Sequence, residues 1–224
     1  MAHIHGIAGE WARVKGMVAG LWPLFLGVFA SGFSLALFLA VPSVAAILLV
    51  ASLVWMIVSL HRGLRHVERF FKGARGEEKV AGVLASLPSS YHVFNDFAAG
   101  RAHVDHVVVG PGGVFSVETK TWRGSVTVED GHILLNGQLP DRDPLAQTLK
   151  EATLVRNALV AKGWEGLVTP VLVFASDSFA AHRANVRGVI VINSNELKVG
   201  FASDRIVIPP VELDRLVGLM EIAS

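Results

Sequence analysis

Apolar and polar positions divide this chain into two unlike parts. Between Lys15 and Arg62 there is no Asp, Glu, Lys or Arg, and an uncharged apolar stretch of that length suits a membrane rather than a soluble surface helix. Residues 17–40 are long enough to cross a hydrocarbon core of about 30 Å at about 1.5 Å per residue, and a second span follows at 44–60. Val41, Pro42 and Ser43 leave room only for a tight turn. The pattern therefore predicts a helical hairpin, with Trp22 at an interface and Pro23 in the first turn of the first span.

Beyond residue 60 the periodicity becomes that of a folded domain. Residues 61–73 read as a basic amphipathic linker helix with Leu64, Val67 and Phe71 on one side. A helix over 76–87 buries Val80, Val83, Leu84 and Leu87, and Pro88 ends it. A first strand is expected at 91–97. Two β-rich runs, 104–109 and 114–120, flank Gly110-Pro111-Gly112-Gly113, a strong hairpin signal. A further hairpin is expected over 125–135 around Asp130-Gly131. Asp143 as N-cap and Pro144 at the first position open a helix with Leu145, Leu149, Ala152, Val155 and Leu159 in its apolar stripe. Residues 168–174 read as a central strand and 186–192 as another. A cap and short helix over 193–197 and a last amphipathic helix over 211–222 complete the pattern. Residues 1–16 read as a flexible terminus, whose His3 and His5 have no third metal ligand nearby. The boundaries so drawn are 1–16, 17–60, 61–72 and 73–224.

Charge orients the first part. Arg13 and Lys15 precede the spans, Arg62, Arg65, Arg69, Lys72 and Arg75 follow them, and the connecting turn is uncharged. The positive-inside rule then places both termini and the domain in the cytoplasm, on a plasma or inner membrane. A cleaved signal peptide ending near Ser43-Val44-Ala45 is the rival reading, and it leaves the second apolar span unexplained. The absence of cysteine excludes disulfides, zinc-thiolate sites and cysteine nucleophiles. From His61 onward 18 Lys and Arg balance 18 Asp and Glu, so the domain has no global basic field for nucleic acid.

Chemistry concentrates in the central hairpin. If Val109 faces Val114, the same register sets Asp105 opposite Glu118, with Lys120 on the same face. Like charges directly opposite are destabilising. A Mg²⁺ ion would remove that penalty, holding one or two carboxylates and several waters beside an ammonium. The other reading is a solvated face on which Lys120 neutralises two acids. His103 would face Lys120 across the register, and His106 the opposite side.

The blocks GARGEEKV from Gly73, YHVFND from Tyr91, VDHVVVGPGGVF from Val104, ETKTWRG from Glu118 and DPLAQ from Asp143 together resemble the NERD (nuclease-related) domain. The resemblance covers roughly residues 72–174. It implies a restriction-endonuclease-like, PD-(D/E)XK-type α/β fold, a mixed sheet flanked by helices, here preceded by two transmembrane helices. It further implies a metal-dependent nuclease site. Asp105 and Glu118 would be metal ligands, with Glu77 as a further acid from the first helix, Lys120 the basic partner and Gln147 a polar residue of the later helix. Val104 stands where the generic nuclease motif has Pro, as is usual in NERD-like sequences. The expected protein is thus a membrane-anchored, Mg²⁺-dependent nuclease with nucleic acid as substrate. The alternatives are a non-catalytic tethered module that binds nucleic acid or protein, and a membrane scaffold with a vestigial site.

Overall fold

The computed structural model describes residues 1–100, 102–179, 181, 183–201 and 207–222. The chain forms two compact units, Glu10–Ala74 and a second made of Met1–Gly9 with Arg75–Ser224.

The first unit is helical. It holds α1 (Glu10–Leu37) and the larger part of α2 (Pro42–Ala85). Both helices are long and apolar enough to cross a membrane, and only 17% of each apolar window is buried within the protein. A core helix of a soluble protein would be mostly covered, and these two are not. Small residues let the two helices meet. A Cβ on Gly63 would stand 2.5 Å from the carbonyl oxygen of Gly20, and one on Gly27 would lie 2.4 Å from Met56. Ser31 and Ser52 hydrogen bond across the pair at 2.8 Å, the kind of polar link that holds helices where water is absent. Two expectations change. Because α1 starts at Glu10, Pro23 lies inside it rather than in a first turn. The second span, the basic segment and the first domain helix are one element, α2.

The second unit is built on a seven-stranded mixed sheet of β1 (His3–His5), β2 (His92–Ala99), β3 (Ala102–Gly110), β4 (Gly113–Lys120), β7 (Val168–Phe174), β8 (Arg183–Val186) and β9 (Val189–Asn193). Its order is β1-β2-β3-β4-β7-β9-β8, and β5 (Val126–Glu129) and β6 (His132–Leu135) form a separate hairpin. β4 runs parallel to β7, and β7 to β9, while β2, β3 and β4 are successively antiparallel. Against one face pack α3 (Pro144–Val160) and α5 (Pro210–Glu221), through Ala152, Val155, Leu159, Leu213, Leu216 and Met220. Val80 and Leu84 of α2, with Leu197 and Phe201 of α4 (Leu197–Phe201), cover the other.

Local chemistry explains the expected elements. Gly113 sits at φ 134°, which favours glycine, and a Cβ on Gly110 would strike the Tyr91 ring at 2.2 Å; the turn therefore needs both. Asp143 Oδ1 accepts from the Leu145 N–H at 2.9 Å, capping α3. Two readings are corrected. The run 186–192 is no single strand, because Arg187 and Gly188 both adopt positive φ and turn β8 back along β9. Nor is the N-terminus a loose tail: β1 adds a parallel edge strand, with His3, Ile4 and His5 opposite His92, Val93 and Phe94. The boundary drawn at residue 16 therefore separates a strand from its own sheet.

Candidate active site

The central site arises where the sheet opens around Asp105. Between β2 and β3 the pairs Asn95–His106 and Phe97–Val104 are joined, and the intervening Asp96 and Asp105 are not. Asp96 has φ 52°, a left-handed conformation inside a strand. The alternation of faces slips here, so that Phe94 and Phe97, three residues apart, enter the same core, as do Val104 and Val107. On its other side β3 pairs with β4 in the expected register only as far as His106–Val117. Asp105 is thus not a ladder partner of Glu118, as the simple register expects. Its Oδ2 instead accepts from the Thr119 N–H at 2.8 Å, supplying β4 with the acceptor that a regular strand would give.

Glu118 and Lys120 lead a hydrogen-bonded network beside α3. Lys120 Nζ donates to Glu118 Oε1 and, at 2.9 Å, to Gln147 Oε1. Gln147 Nε2 donates to Glu118 Oε1 at 2.8 Å and to Glu151 Oε1 at 2.9 Å. Glu118 is 4% exposed and Glu151 8%; two buried carboxyl groups are gathered round one amide. Burial, then the charge of Glu118, pushes the Glu151 carboxyl up to about 9, against Gln147 and Lys120, so near neutrality it carries a proton. A hydrogen bond between its carboxyl and that of Glu118 adds to the rise.

Asp105 belongs to the same electrostatic cluster. Its enclosed carboxyl is pushed well above the usual range, first by burial, then by the charges of Glu118 and Glu77, with a smaller push from Glu151; the Thr119 N–H opposes them. Glu77, partly buried on α2, therefore reaches the cluster through its field. Of the five expected residues, Glu118, Lys120 and Gln147 are joined by direct hydrogen bonds, whereas Asp105 and Glu77 are related to Glu118 only through the electrostatics of the Asp105 carboxyl. Glu151 was not expected. Its signal was present, since it stands four residues after Gln147 on a helix face that otherwise buries Leu145, Thr148, Ala152 and Val155.

The donor set suits a hard cation. Among the described residues no three His, Asp or Glu side chains already converge on one point. A Mg²⁺ ion would be held by Asp105 and Glu118, with Glu77 near and water in the remaining positions, as Mg²⁺ prefers. Three acids whose fields raise Asp105 make that charge favourable. Next to Lys120 and Gln147 opens a cleft of about 570 Å³, lined also by Trp122, Asn136, Gln138 and Arg142.

The two histidines lie elsewhere. His103 Nδ1 is 3.0 Å from Asp96 Oδ1, its partner being this acid rather than Lys120. His106 is fully buried with Nδ1 2.8 Å from Asn95 Oδ1, and burial lowers it to about 3, so it is neutral.

A mixed sheet, helices on both faces, and acids with a lysine where its central strands part define a nuclease-like α/β domain. Residues 72–175, a little under half of the chain, match the family described as Nuclease-related domain, NERD. Glu77, Asp105, Glu118, Lys120, Gln147 and Glu151 all fall inside it. No curated protein and no solved structure matches the chain.

Proposed function

We propose that this NERD domain is a metal-dependent nuclease tethered to a membrane by the α1–α2 hairpin, hydrolysing phosphodiester bonds on the side where both termini lie. The opening of the sheet at Asp105 carries the reading. A fold selected only for stability would close that ladder, and it would not gather three acids around a raised carboxyl.

When bound, Mg²⁺ supplies Lewis acidity toward a phosphoryl oxygen and a water of lowered pKa. Asp105 and Glu118 would hold it. Lys120, whose ammonium bonds Glu118 and Gln147, would donate to a phosphate oxygen and offset its charge. Gln147 orients Glu118 and Lys120 from α3. The cleft beside Lys120 and Gln147 gives the substrate chain a path past Trp122 and Arg142.

Connectivity supports, independently of charge, that the segments before and after the hairpin share one side. Residues 3–5 and 92–94 pair in one sheet, so the chain between them crosses a membrane an even number of times. With basic flanks, this favours two crossings and a cytoplasmic domain.

A second reading, a tethered module that binds without cutting, draws on the balanced charge of the soluble part and on the direct Lys120–Glu118 pair. Full-length protein in detergent, with Asp105→Asn and Glu118→Gln beside it, separates the two. Mg²⁺-dependent cleavage of single- or double-stranded DNA or RNA, lost in both variants, supports the nuclease. Nucleic acid or protein bound without cleavage, equally by all three proteins, supports the module.

A further inference from the structure

A second group of metal-ligating side chains lies at the edge of the sheet, apart from the acids of the central opening. The register of β1 on β2 puts His3 opposite His92 and His5 opposite Phe94. Residues at alternate positions of a strand share a face, so three imidazoles gather there. The His3 and His92 rings stack with centroids 4.7 Å apart, and the His5 ring lies on Phe94 at 4.3 Å. His5 Nε2 is 3.2 Å from His92 Nδ1. On its far side His5 Nδ1 is 3.5 Å from Glu221 Oε1, at the end of α5.

We infer that His5 and His92 form a binding site for a borderline transition-metal ion of the Zn²⁺ type, which clasps the first strand to the sheet. Two imidazole nitrogens at 2.0–2.1 Å from a tetrahedral ion stand about 3.3–3.4 Å apart, close to the 3.2 Å found; with the ring centroids 5.5 Å apart the two nitrogens face each other head-on, so that seating an ion tilts both rings. A carboxylate on the remaining nitrogen of a ligating histidine is the usual outer partner, since it fixes the tautomer that points a lone pair at the metal. Glu221 lies on that side, at ion-pair rather than hydrogen-bond distance. Imidazole pairs favour Zn²⁺ over Mg²⁺, so this site and the acidic one select different ions. Among the described residues no third side chain already converges with the two. Water fills the open positions, and His3, stacked on His92 and exposed, is the nearest imidazole to join them.

The same 3.2 Å also fits a simple N–H···N bond, and metal titration distinguishes the two. Full-length protein in detergent, stripped with chelator, is dialysed against micromolar Zn²⁺ and analysed for bound metal, beside His5→Gln, His92→Gln and Asp105→Asn. The expected result is one Zn²⁺ per chain in wild type and in Asp105→Asn, with affinity at least tenfold weaker in both histidine variants. A thermal midpoint that rises with Zn²⁺ is expected in wild type and in Asp105→Asn but not in the two histidine variants, and in Asp105→Asn, whose acidic site is impaired, Mg²⁺ should not reproduce the rise. Should a glutamine variant fail to fold, this response of Asp105→Asn decides. No stoichiometric Zn²⁺ in wild type, unchanged binding in the histidine variants, or loss confined to Asp105→Asn would overturn the assignment.

Discussion

Asp105 Oδ2 stands 2.8 Å from the Thr119 nitrogen, so a side chain occupies the place of a main-chain acceptor between β3 and β4. The structural task and the proposed catalytic one fall on the same carboxyl. Asp105→Asn keeps an acceptor for Thr119 while removing the charge, and it relieves repulsion from Glu118 and Glu77. We expect the variant to melt at the wild-type temperature or above in chelator, yet to lose Mg²⁺-dependent cleavage on the order of 10²–10³-fold. A variant that melts lower and cuts normally would place Asp105 in the scaffold alone.

Lys120 tests the network from its cationic side. Lys120→Met removes the donor to Glu118 and Gln147 and leaves Glu118 buried without its cation. The loss of a partner from a buried pair is costly, about 3–5 kcal/mol. The melting point should fall and Mg²⁺ should restore much of it, because the ion replaces the missing charge. Calorimetry with and without Mg²⁺ reads this directly, and an equal fall in both conditions would exclude a cation beside Glu118.

Glu151 predicts a pH slope. A carboxyl raised from 4.5 to about 9 in the folded state binds more protons folded than unfolded. Its contribution is therefore full below the unfolded value and is lost as pH climbs from about 4.5 toward 9. In chelator, wild type should lose stability over that window by up to about 1.4 kcal/mol per pH unit from this group. Glu151→Gln should be the more stable protein at pH 9. Denaturant titrations at pH 6 and pH 9 decide, and parallel behaviour of the two proteins would show that Glu151 is already ionised.

His106 gives a slope of the opposite sign. Its lowered folded value, about 3 against 6.5, means that the unfolded chain binds the extra proton. Stability from the neutral buried ring is full above 6.5 and is lost as pH falls toward 3. Asn95→Ala, which strands the buried Nδ1–H, should cost about 1–3 kcal/mol at pH 7. Replacing both residues by apolar ones of like volume should cost less, as urea midpoints will show.

The first strand makes a prediction about fragments. A protein beginning at residue 72 lacks β1 and leaves the β2 edge unpaired, a template for aggregation. It should be less soluble and melt lower than the same fragment with residues 1–9 joined by a flexible linker. Equal melting points would show that β1 contributes nothing to the sheet.

How far the sequence foretold all this depends on what kind of signal each element leaves. The β3–β4 hairpin was legible because Gly110 and Gly113 mark a turn that other residues cannot make, and its register followed from the turn. The α3 start was equally plain from Asp143 and Pro144. The opening at Asp105 was not, because it depends on the left-handed backbone of Asp96, a residue ordinary in any strand edge or turn. Glu118, Lys120 and Gln147 could be named from motif alone, but Glu151 needed the buried face of α3 to be read as a whole. β1 escaped because three residues carry too little periodicity, and its partner is remote in the chain.

That remoteness fixes an order of events during synthesis. β1 leaves the ribosome first, yet its neighbour β2 begins only at His92, after both apolar helices have been made. On the proposed membrane tether, β1 is made before the hairpin and its partner only after it, so β1 reaches the sheet only when the domain beyond has begun to fold. On that reading the seating of β1 would report that insertion had left both ends of the hairpin on one side.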